Sequence, residues 1–401
     1  MLQKKLALVL TLVMLVTCIP ASALAFSEKV NDHADVLVSR METSLSNEFK
    51  DAHAGDYSFW IPLYDMNDVQ YAVFVPLYDE QELLMGYSVM SDINNINVVL
   101  VSSTGAGAKA LAENILLVAS EEHAQYLVYE FPEAFFTKRG DQYYQISFVG
   151  EPVAVVDSLK FSTGTVDMLL TQYATPARDK TDQTRAVTTV YGSLTNWDYN
   201  GFVPVTVSGG VYYGGYQGWL TDEGITQFYA DRSCGVTAAA NMMHYMAKNV
   251  SGKSKLYTKP DTSKANFSKY QKDVFNYLNP AVWGIPTLSV LEWGVLDYAA
   301  ACGVSLSAYW NNATWNEPAV RNYIAGGLNQ NRPVLLLTWN SPIPNLEWHW
   351  VTVTRIYLDN TYAPSPDTTK ILTSNWGGKT EYDFLTWVNG SSLYKGVLYF
   401  N

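Results

Sequence analysis

Cysteine, histidine and positive charge are all scarce in this chain. Its 401 residues include 3 cysteines and 5 histidines, and 26 lysines and arginines stand against 38 aspartates and glutamates, for a formal net charge of −12. A chain this acidic lacks the basic face that a nucleic-acid partner requires. Apolar residues make up 48% of the chain, which is ample for packed cores. Beyond the N-terminus, however, no stretch is apolar enough to span a bilayer.

The N-terminus has the pattern of an export signal. Two lysines precede the apolar run Leu6–Pro20, and small residues follow it up to Ala25. This order predicts a signal peptide over residues 1–25 that is cut after Ala25. A membrane anchor fits less well, because the run is too short to span and ends at a proline. We therefore expect a secreted, extracellular protein without membrane attachment, whose net charge becomes −14 once the two lysines leave with the signal.

Residues 26–401 exceed what one domain normally uses, and their pattern divides in two. The first part, 26–173, is predicted to be a sheet-rich α+β domain. Its predicted helices lie at 36–49 and 106–119, and its strand-like runs at 58–65, 69–79, 83–90, 125–131 and 142–149. Residues 174–185 are polar and lack apolar periodicity, which predicts an exposed linker. The second domain covers 186–401.

Cys234 stands where a helix is predicted to begin. The sequence that follows, GVTAAANMMHYMAK, has a strong helical pattern, and Asp231 or Ser233 is a suitable cap. The first turn of a helix favours an anion, and this placement lowers the pKa of a thiol toward a reactive thiolate. The alternative is a disulfide with Cys302, the other cysteine left after signal removal. A free Cys302, buried as a small hydrophobic residue, fits its position at the end of a predicted helix.

A thiolate nucleophile needs a base and a group that orients the base. The second domain has two histidines, His244 and His349. His244 lies ten residues along the nucleophile's own helix, about 15 Å away, so His349 at the start of a predicted strand is the candidate base. Asn375 follows another short strand, where its amide is suited to accept the ring N–H of the base. The neighbouring Trp376 is suited to shield that bond from water.

These segments resemble those of the papain-like cysteine peptidases, most closely the bacteriocin-processing and streptopain types. The resemblance rests on SCGVTAAANMMHYMA, HWVTV and SNWGG, which occur in the order found in that family, and it covers roughly the second domain. It implies a helical part that bears the nucleophile, packed on an antiparallel sheet that carries His349 and Asn375. It also implies catalysis through a thioester acyl-enzyme, with no metal and no organic cofactor.

The chain departs from the family pattern at two positions. Val236 replaces the proline that usually follows Cys-Gly, and Phe228 stands six residues before the cysteine, where the family has its oxyanion-hole glutamine. Gln227, one residue further from Cys234, is the expected substitute, and Gln217 is a competing choice. Loss of one such donor typically costs 10²–10³ in rate, so this position bears on the speed of the reaction and not on its class.

The remaining expectations concern the surroundings of the site. Between nucleophile and base we predict helices at 286–301 and 317–329, a buried strand at 333–339, and an exposed loop over 249–279. Gly-Ala-Gly-Ala-Lys at 105–109 lacks the end of a phosphate-binding loop, so no nucleotide is expected.

The predicted function is a secreted peptidase that acts on a peptide or protein, and the first domain is expected to be an inhibitory pro-region released by cleavage in the linker. A permanent domain that binds the cell wall or the substrate is the alternative for this first domain. Two further function classes remain open for the whole chain: a peptidoglycan hydrolase with the same chemistry, and a non-catalytic binding module on a papain-like scaffold.

Overall fold

A computed structural model describes most of residues 51–401. The described ranges are 51–65, 68–91, 98–120, 127–130, 134–139, 142–146, 153–155, 189–195, 202–208, 210–281, 284–339, 349–359, 368–389 and 394–401, with Val38, Met41 and Phe49. The predicted signal peptide, 1–25, and linker, 174–185, lie outside the described residues. So does most of the predicted helix at 36–49, of which Val38 and Met41 are helical.

The N-terminal region contains nine described strands and one long helix. The strands are β1 (His53–Ala54), β2 (Ile61–Tyr64), β3 (Gln70–Tyr78), β4 (Leu84–Ser91), β5 (Val99–Thr104), β6 (Leu127–Glu130), β7 (Ala134–Arg139), β8 (Gln142–Ile146) and β9 (Val153–Val155). The helix, α1 (Ala106–Ala119), coincides with the predicted one. The sequence patterns did not mark β5 and β7, which lack a clear alternation of apolar and polar residues.

The described C-terminal region contains six α-helices and nine strands. Its helices are α2 (Gln227–Ala230), α3 (Cys234–Asn249), α4 (Lys264–Leu278), α5 (Leu288–Ala301), α6 (Glu317–Asn329) and α7 (Phe384–Asn389). Its strands are β10 (Thr189–Ser193), β11 (Pro204–Val207), β12 (Gly210–Tyr213), β13 (Ala308–Asn311), β14 (Val334–Trp339), β15 (His349–Asp359), β16 (Thr368–Asn375), β17 (Gly378–Asp383) and β18 (Tyr394–Phe400). The expectation of a mixed α+β chain is confirmed at this level.

One expected segment is wrong. Residues 249–279 were predicted to be an exposed loop, yet they contain α4. Phe267, Tyr270, Val274 and Leu278 of this helix are buried, at the spacing of three and four residues that places side chains on one helical face. The many lysines and serines between these positions concealed the stripe, because they lower the average hydrophobicity without interrupting the period.

One large sheet runs through both predicted domains. Its strand order is β13-β18-β14-β15-β16-β17-β5-β4-β3-β2-β6-β7-β8-β9, with β1 beside β3 and β10 beside β15. The described pairs are antiparallel except β2 with β6. The two predicted domains meet where β17 pairs with β5, from Lys379 opposite Thr104 to Tyr382 opposite Val101. They therefore share one sheet and are not separate layers.

Residues of β15 alternate between two buried clusters on opposite faces of this sheet. Val351 and Val353 belong to a cluster that includes α1 and α6, whereas Trp350 belongs to one built from α3, α4 and α5. The first cluster joins side chains of the N-terminal and C-terminal regions in one core. Among the described residues, no helix has both the length and the apolar character needed to cross a bilayer.

Candidate active site

Cys234 is the first residue of α3 and is largely buried, with 7% of its surface exposed. Neither expected cap covers this helix end. The hydroxyl of Ser233 donates to the carbonyl of Tyr229 at 2.7 Å, and the carboxylate of Asp231 accepts from Gln227 at 2.7 Å. Since both side chains bond elsewhere, the positive end of the α3 dipole acts on Cys234 without a competing side-chain oxygen from these two residues.

The residue after Cys234 contacts the residue after His349. A Cβ placed on Gly235 would lie 3.0 Å from Cδ1 of Trp350, a separation tighter than most Cβ contacts, so glycine favours this close approach. The indole of Trp350 is held in turn by its N–H bond to the carbonyl of Ile285, at 2.8 Å. Because the contacting residues each follow a predicted catalytic residue, Cys234 and His349 lie at the same end of α3 and β15.

The helix and the strand run alongside each other from that end. The hydroxyl of Thr352 in β15 donates to the carbonyl of Ala238 in α3, at 3.1 Å. Cys234 therefore meets the His349 strand at its beginning, and the middle of the helix covers the strand's interior.

His349 packs against the tryptophan that was predicted to shield it. The ring centroids of His349 and Trp376 are 4.6 Å apart with a 53° tilt, and Nε2 of His349 is buried. Trp376 is the first of two turn residues between β16 and β17, and its φ of 48° is left-handed. A large side chain in this region costs on the order of 1–3 kcal/mol, so the surrounding structure must hold the turn.

By strand alternation Asn375 falls on the face of the sheet that His349 and Val351 share, whereas Trp350 and Thr352 face α3. Thr352 pairs with Ser374, and continuing this register by one residue places Asn375 opposite Val351, two residues from His349. Directly opposed residues share a face, and diagonal neighbours are within reach of long side chains. The amide nitrogen of Asn375 donates to the hydroxyl of Tyr382 at 3.1 Å, which orients the Asn375 side chain.

Gln217, the competing choice for the oxyanion glutamine, is bonded directly into this group of residues. Only 3% of its surface is exposed. Its side-chain oxygen accepts from the indole N–H of Trp376 at 3.2 Å, and its side-chain nitrogen donates to the carbonyl of Asp231 at 2.8 Å. These two bonds fix which way the amide points. They also link the Trp376 turn to the segment that leads into Cys234.

Gln227, the expected oxyanion donor, is instead exposed on α2. Its amide donates to the carboxylate of Asp231, a bond that lowers the pKa of this carboxyl, although partial burial outweighs it and raises the pKa overall. The 3-10 helix Gln217–Glu223 and α2 lie between Gln217 and Cys234. The bond from Gln217 to the Asp231 carbonyl brings Gln217 next to the segment that leads into Cys234, although Gln217 lies 17 positions before Cys234 in the sequence.

Ser374 is a residue to which sequence reasoning assigned no role. Its hydroxyl bonds to the carbonyl of Tyr213 and accepts from the amide of Asn241 in α3, the latter at 3.2 Å. The same Asn241 accepts from the backbone N–H of Gly215 at 2.8 Å, and the N–H of Tyr213 donates to Gly377 at 2.9 Å. These bonds attach the segment before Gln217 to both α3 and the Trp376 turn.

The second histidine of the C-terminal region has a packing role. His244 is fully buried, with its ring 4.2 Å from that of Tyr257 and 5.4 Å from that of Phe267. Burial, and to a smaller extent the nearby Lys248, hold its pKa well below the ordinary value. A neutral histidine enclosed by aromatic rings is a core residue.

Cys234 and Cys302 are both free thiols, so they do not form the alternative disulfide. Cys302 is half-buried and not fully buried as expected, because it follows the last turn of α5 at the C-cap position. Among the described residues, no three histidine, cysteine, aspartate or glutamate side chains gather as a metal site would require.

Comparison of the chain with models of known protein families and with characterised proteins gives no match.

Proposed function

We propose that this chain is a secreted cysteine peptidase that hydrolyses peptide bonds through Cys234, His349 and Asn375. The contact of Gly235 with Trp350 carries the proposal, because it brings a thiol at a helix N-terminus to the beginning of a strand that starts with an imidazole. A thiolate stabilised by a helix end and a neighbouring imidazolium is the reactive form of such a cysteine.

In the first step the thiolate of Cys234 attacks the carbonyl carbon of the scissile peptide bond. The tetrahedral intermediate collapses as His349 gives its proton to the leaving amine, and a thioester remains on the sulfur. His349 then takes a proton from water, whose oxygen attacks the thioester carbon. The carboxylic acid product leaves, and the thiolate and imidazolium are restored. General acid–base help of this kind contributes roughly 10²–10⁴ in rate.

Asn375 and Trp376 act through His349. The Asn375 amide oxygen accepts the ring N–H of His349, which selects the tautomer that faces the sulfur. Trp376 covers this pair, in keeping with the 4.6 Å separation of its ring from that of His349. Water that would compete for the imidazole is thereby kept away.

Gln217 takes the oxyanion role in place of Gln227. An amide nitrogen carries two N–H groups, and the bond to the Asp231 carbonyl uses one of them. The second N–H, together with the backbone amides at the start of α3, stabilises the negative oxygen of the tetrahedral intermediate. The two bonds already made by Gln217 hold this donor in position before substrate binds.

The proposal extends to a papain-like fold for residues 186–401. It is supported by the antiparallel order β18-β14-β15-β16-β17 and by α3 packed on that sheet at the strand that carries His349. The three motifs that resemble the papain-like peptidases lie at the same end of this unit.

The test is cleavage of a denatured protein such as casein by the purified protein. We expect peptide products from wild type, and loss of cleavage in Cys234→Ser and His349→Ala. Two matched controls, Cys302→Ser and His244→Phe, change the same residue types at positions outside the site and should retain activity. Loss of turbidity of purified cell walls without casein cleavage would replace the proposal with a wall hydrolase. If neither substrate is cleaved and Cys234 is no more reactive than Cys302, the proposal is replaced by the alternative of a non-catalytic binding module.

A further inference from the structure

The N-terminal region touches the active-site turn through two glycines. A Cβ placed on Gly107 in the first turn of α1 would lie 2.8 Å from the Cβ of Trp376 and 2.9 Å from its carbonyl oxygen. A Cβ placed on Gly105 would lie 2.6 Å from the Cα of Gly378. No side chain fits between the start of α1 and this turn, so the two backbones are in direct contact. This contact accounts for Gly105 and Gly107 without a phosphate-binding role.

The strand before these glycines fixes their position. β5 pairs with β17, and the pairing places Thr104 opposite Lys379 directly beside the turn. Buried polar contacts set the register: Ser103 shares a hydrogen bond with Thr380 at 2.7 Å, and the ammonium of Lys370 donates to the carbonyl of Val99 at 2.6 Å. A slip by one residue would turn these side chains to the other face of the sheet, so the junction has one register.

The turn is left-handed at Trp376, a conformation that a tryptophan does not keep unless its surroundings impose it. On one side it is held by the bond from the N–H of Tyr213 to the carbonyl of Gly377. On the other side it rests on Gly107. The indole of Trp376 lies between these two supports. It contacts the His349 ring and donates a hydrogen bond to Gln217. A shift of the turn therefore moves groups beside both the base and the oxyanion donor.

We propose that β5 and the start of α1 are a brace for the active site, which positions Trp376 and through it His349 and Gln217. The N-terminal region is then a positive determinant of activity, and Gly107 is a positioning residue. This inference rests on the proposed function, since it concerns the same site. It differs from the expectation of a purely inhibitory pro-region, which predicts higher reactivity when this contact is disturbed.

The experiment compares Gly107→Ala with Gly326→Ala in the full-length protein. Gly326 lies in α6 and has no atom within 4 Å of a placed Cβ, so it controls for the same substitution in a helix without a clash. The readout is the rate at which iodoacetamide alkylates Cys234, followed from pH 4 to pH 9 by peptide mass mapping, with Cys302 as internal reference.

For Gly107→Ala we expect the Cys234 rate to fall between about tenfold and a hundredfold, as misplaced catalytic groups do. Its pH profile should shift, because the imidazole that stabilises the thiolate has moved. Cys302 and the Gly326→Ala protein should react as in wild type. An unchanged rate and pH profile, or a faster reaction of Cys234, would overturn the brace. A wild-type Cys234 that reacts no faster than Cys302 would instead overturn the proposed function.

A second variant covers failure of Gly107→Ala to fold. Ser103→Ala removes the hydrogen bond to Thr380 without adding volume. It should slow Cys234 in the same direction but by less, with the melting temperature recorded alongside. If Gly107→Ala does not fold, and Cys234 in a folded Ser103→Ala protein is alkylated as fast as in wild type, the brace is contradicted.

Discussion

His244 and His349 carry the same imidazole side chain, but their surroundings differ. His244 is enclosed by Tyr257, Phe267 and Tyr270, which favour its neutral form. His349 is half-buried at a strand end beside Trp376. An imidazole must gain and lose a proton to act as a base, and the apolar site of His244 opposes the gain.

The burial of His244 makes stability depend on pH. Its pKa in the folded protein is lowered, so as the pH falls below about 6.5 the unfolded chain takes up a proton there that the folded protein does not. Stability is therefore full above about pH 6.5 and falls by up to about 1.4 kcal/mol per pH unit below it, until the folded pKa is reached. Urea unfolding at pH 7.5, 6.0 and 5.0 should show a smaller loss for His244→Phe than for wild type. Parallel losses in the two proteins would contradict this.

Asn375 offers a second prediction at the level of single residues. Asn375→Ala should lower kcat by about ten- to a hundredfold, less than His349→Ala, since an orienting group acts through the position of the base. Tyr382→Phe removes the hydroxyl to which Asn375 donates and should cause a smaller loss in the same direction. Steady-state kinetics on a peptide substrate decides the matter. Wild-type kcat in Asn375→Ala would remove Asn375 from the site.

At the level of elements, the segment before Gln217 matters as much as the nucleophile helix. α3 supplies Cys234 at its start and Asn241 near its middle, and Asn241 bonds to Gly215 and Ser374. These bonds set the path of the chain that ends in Gln217. The helix therefore positions Cys234, the proposed nucleophile, directly and, through Asn241, the segment that carries Gln217.

The two glutamines before Cys234 are expected to differ sharply in their effect. Gln217→Ala should lower kcat by about 10²–10³, because it removes the proposed oxyanion donor. Gln227→Ala should leave kcat nearly unchanged, since the Gln227 side chain is exposed and its amide bonds to the Asp231 carboxylate. Single-turnover acylation by an activated ester measures the step concerned. Equal losses in the two variants would mean that the wrong glutamine has been assigned.

At the level of the whole molecule, the continuous sheet determines what cleavage of the predicted linker would do. Residues 174–185 contain Arg178, Lys180 and Arg185, which trypsin recognises. β5 and β17 pair over four residues, and the core cluster on one face contains side chains of both regions. A cut in the linker removes none of these contacts.

We therefore predict that trypsin cuts first within 174–185 and that the two fragments remain together. Size-exclusion chromatography should elute them as one species, with Cys234 as reactive as in the uncut protein. The control is uncut protein carried through the same column. Fragments that separate, with a gain in activity of the C-terminal one, would instead support the expected inhibitory pro-region.

Local patterns were sufficient to predict several parts of this protein. The sequence predicted that Cys234 begins a helix, that His349 begins a strand and that α1 spans 106–119. These features were predictable because helix starts and apolar periodicity depend on residues that are neighbours in the sequence. The mixed α+β composition follows from the same signals. Two histidines in the C-terminal region also made it possible to choose a base by elimination.

What the sequence could not determine depends on contacts between distant segments. Gln217 bonds to Trp376 and to the Asp231 carbonyl because the chain between Gln217 and Cys234 folds back, and residue spacing does not record such a fold. The pairing of β5 with β17 and the contact of Gly107 with Trp376 join residues more than 250 positions apart. Hydrophobic period and turn chemistry are local, whereas the partner of a strand edge is selected by packing and by hydrogen bonds across the finished sheet. Only the tertiary structure could decide these contacts.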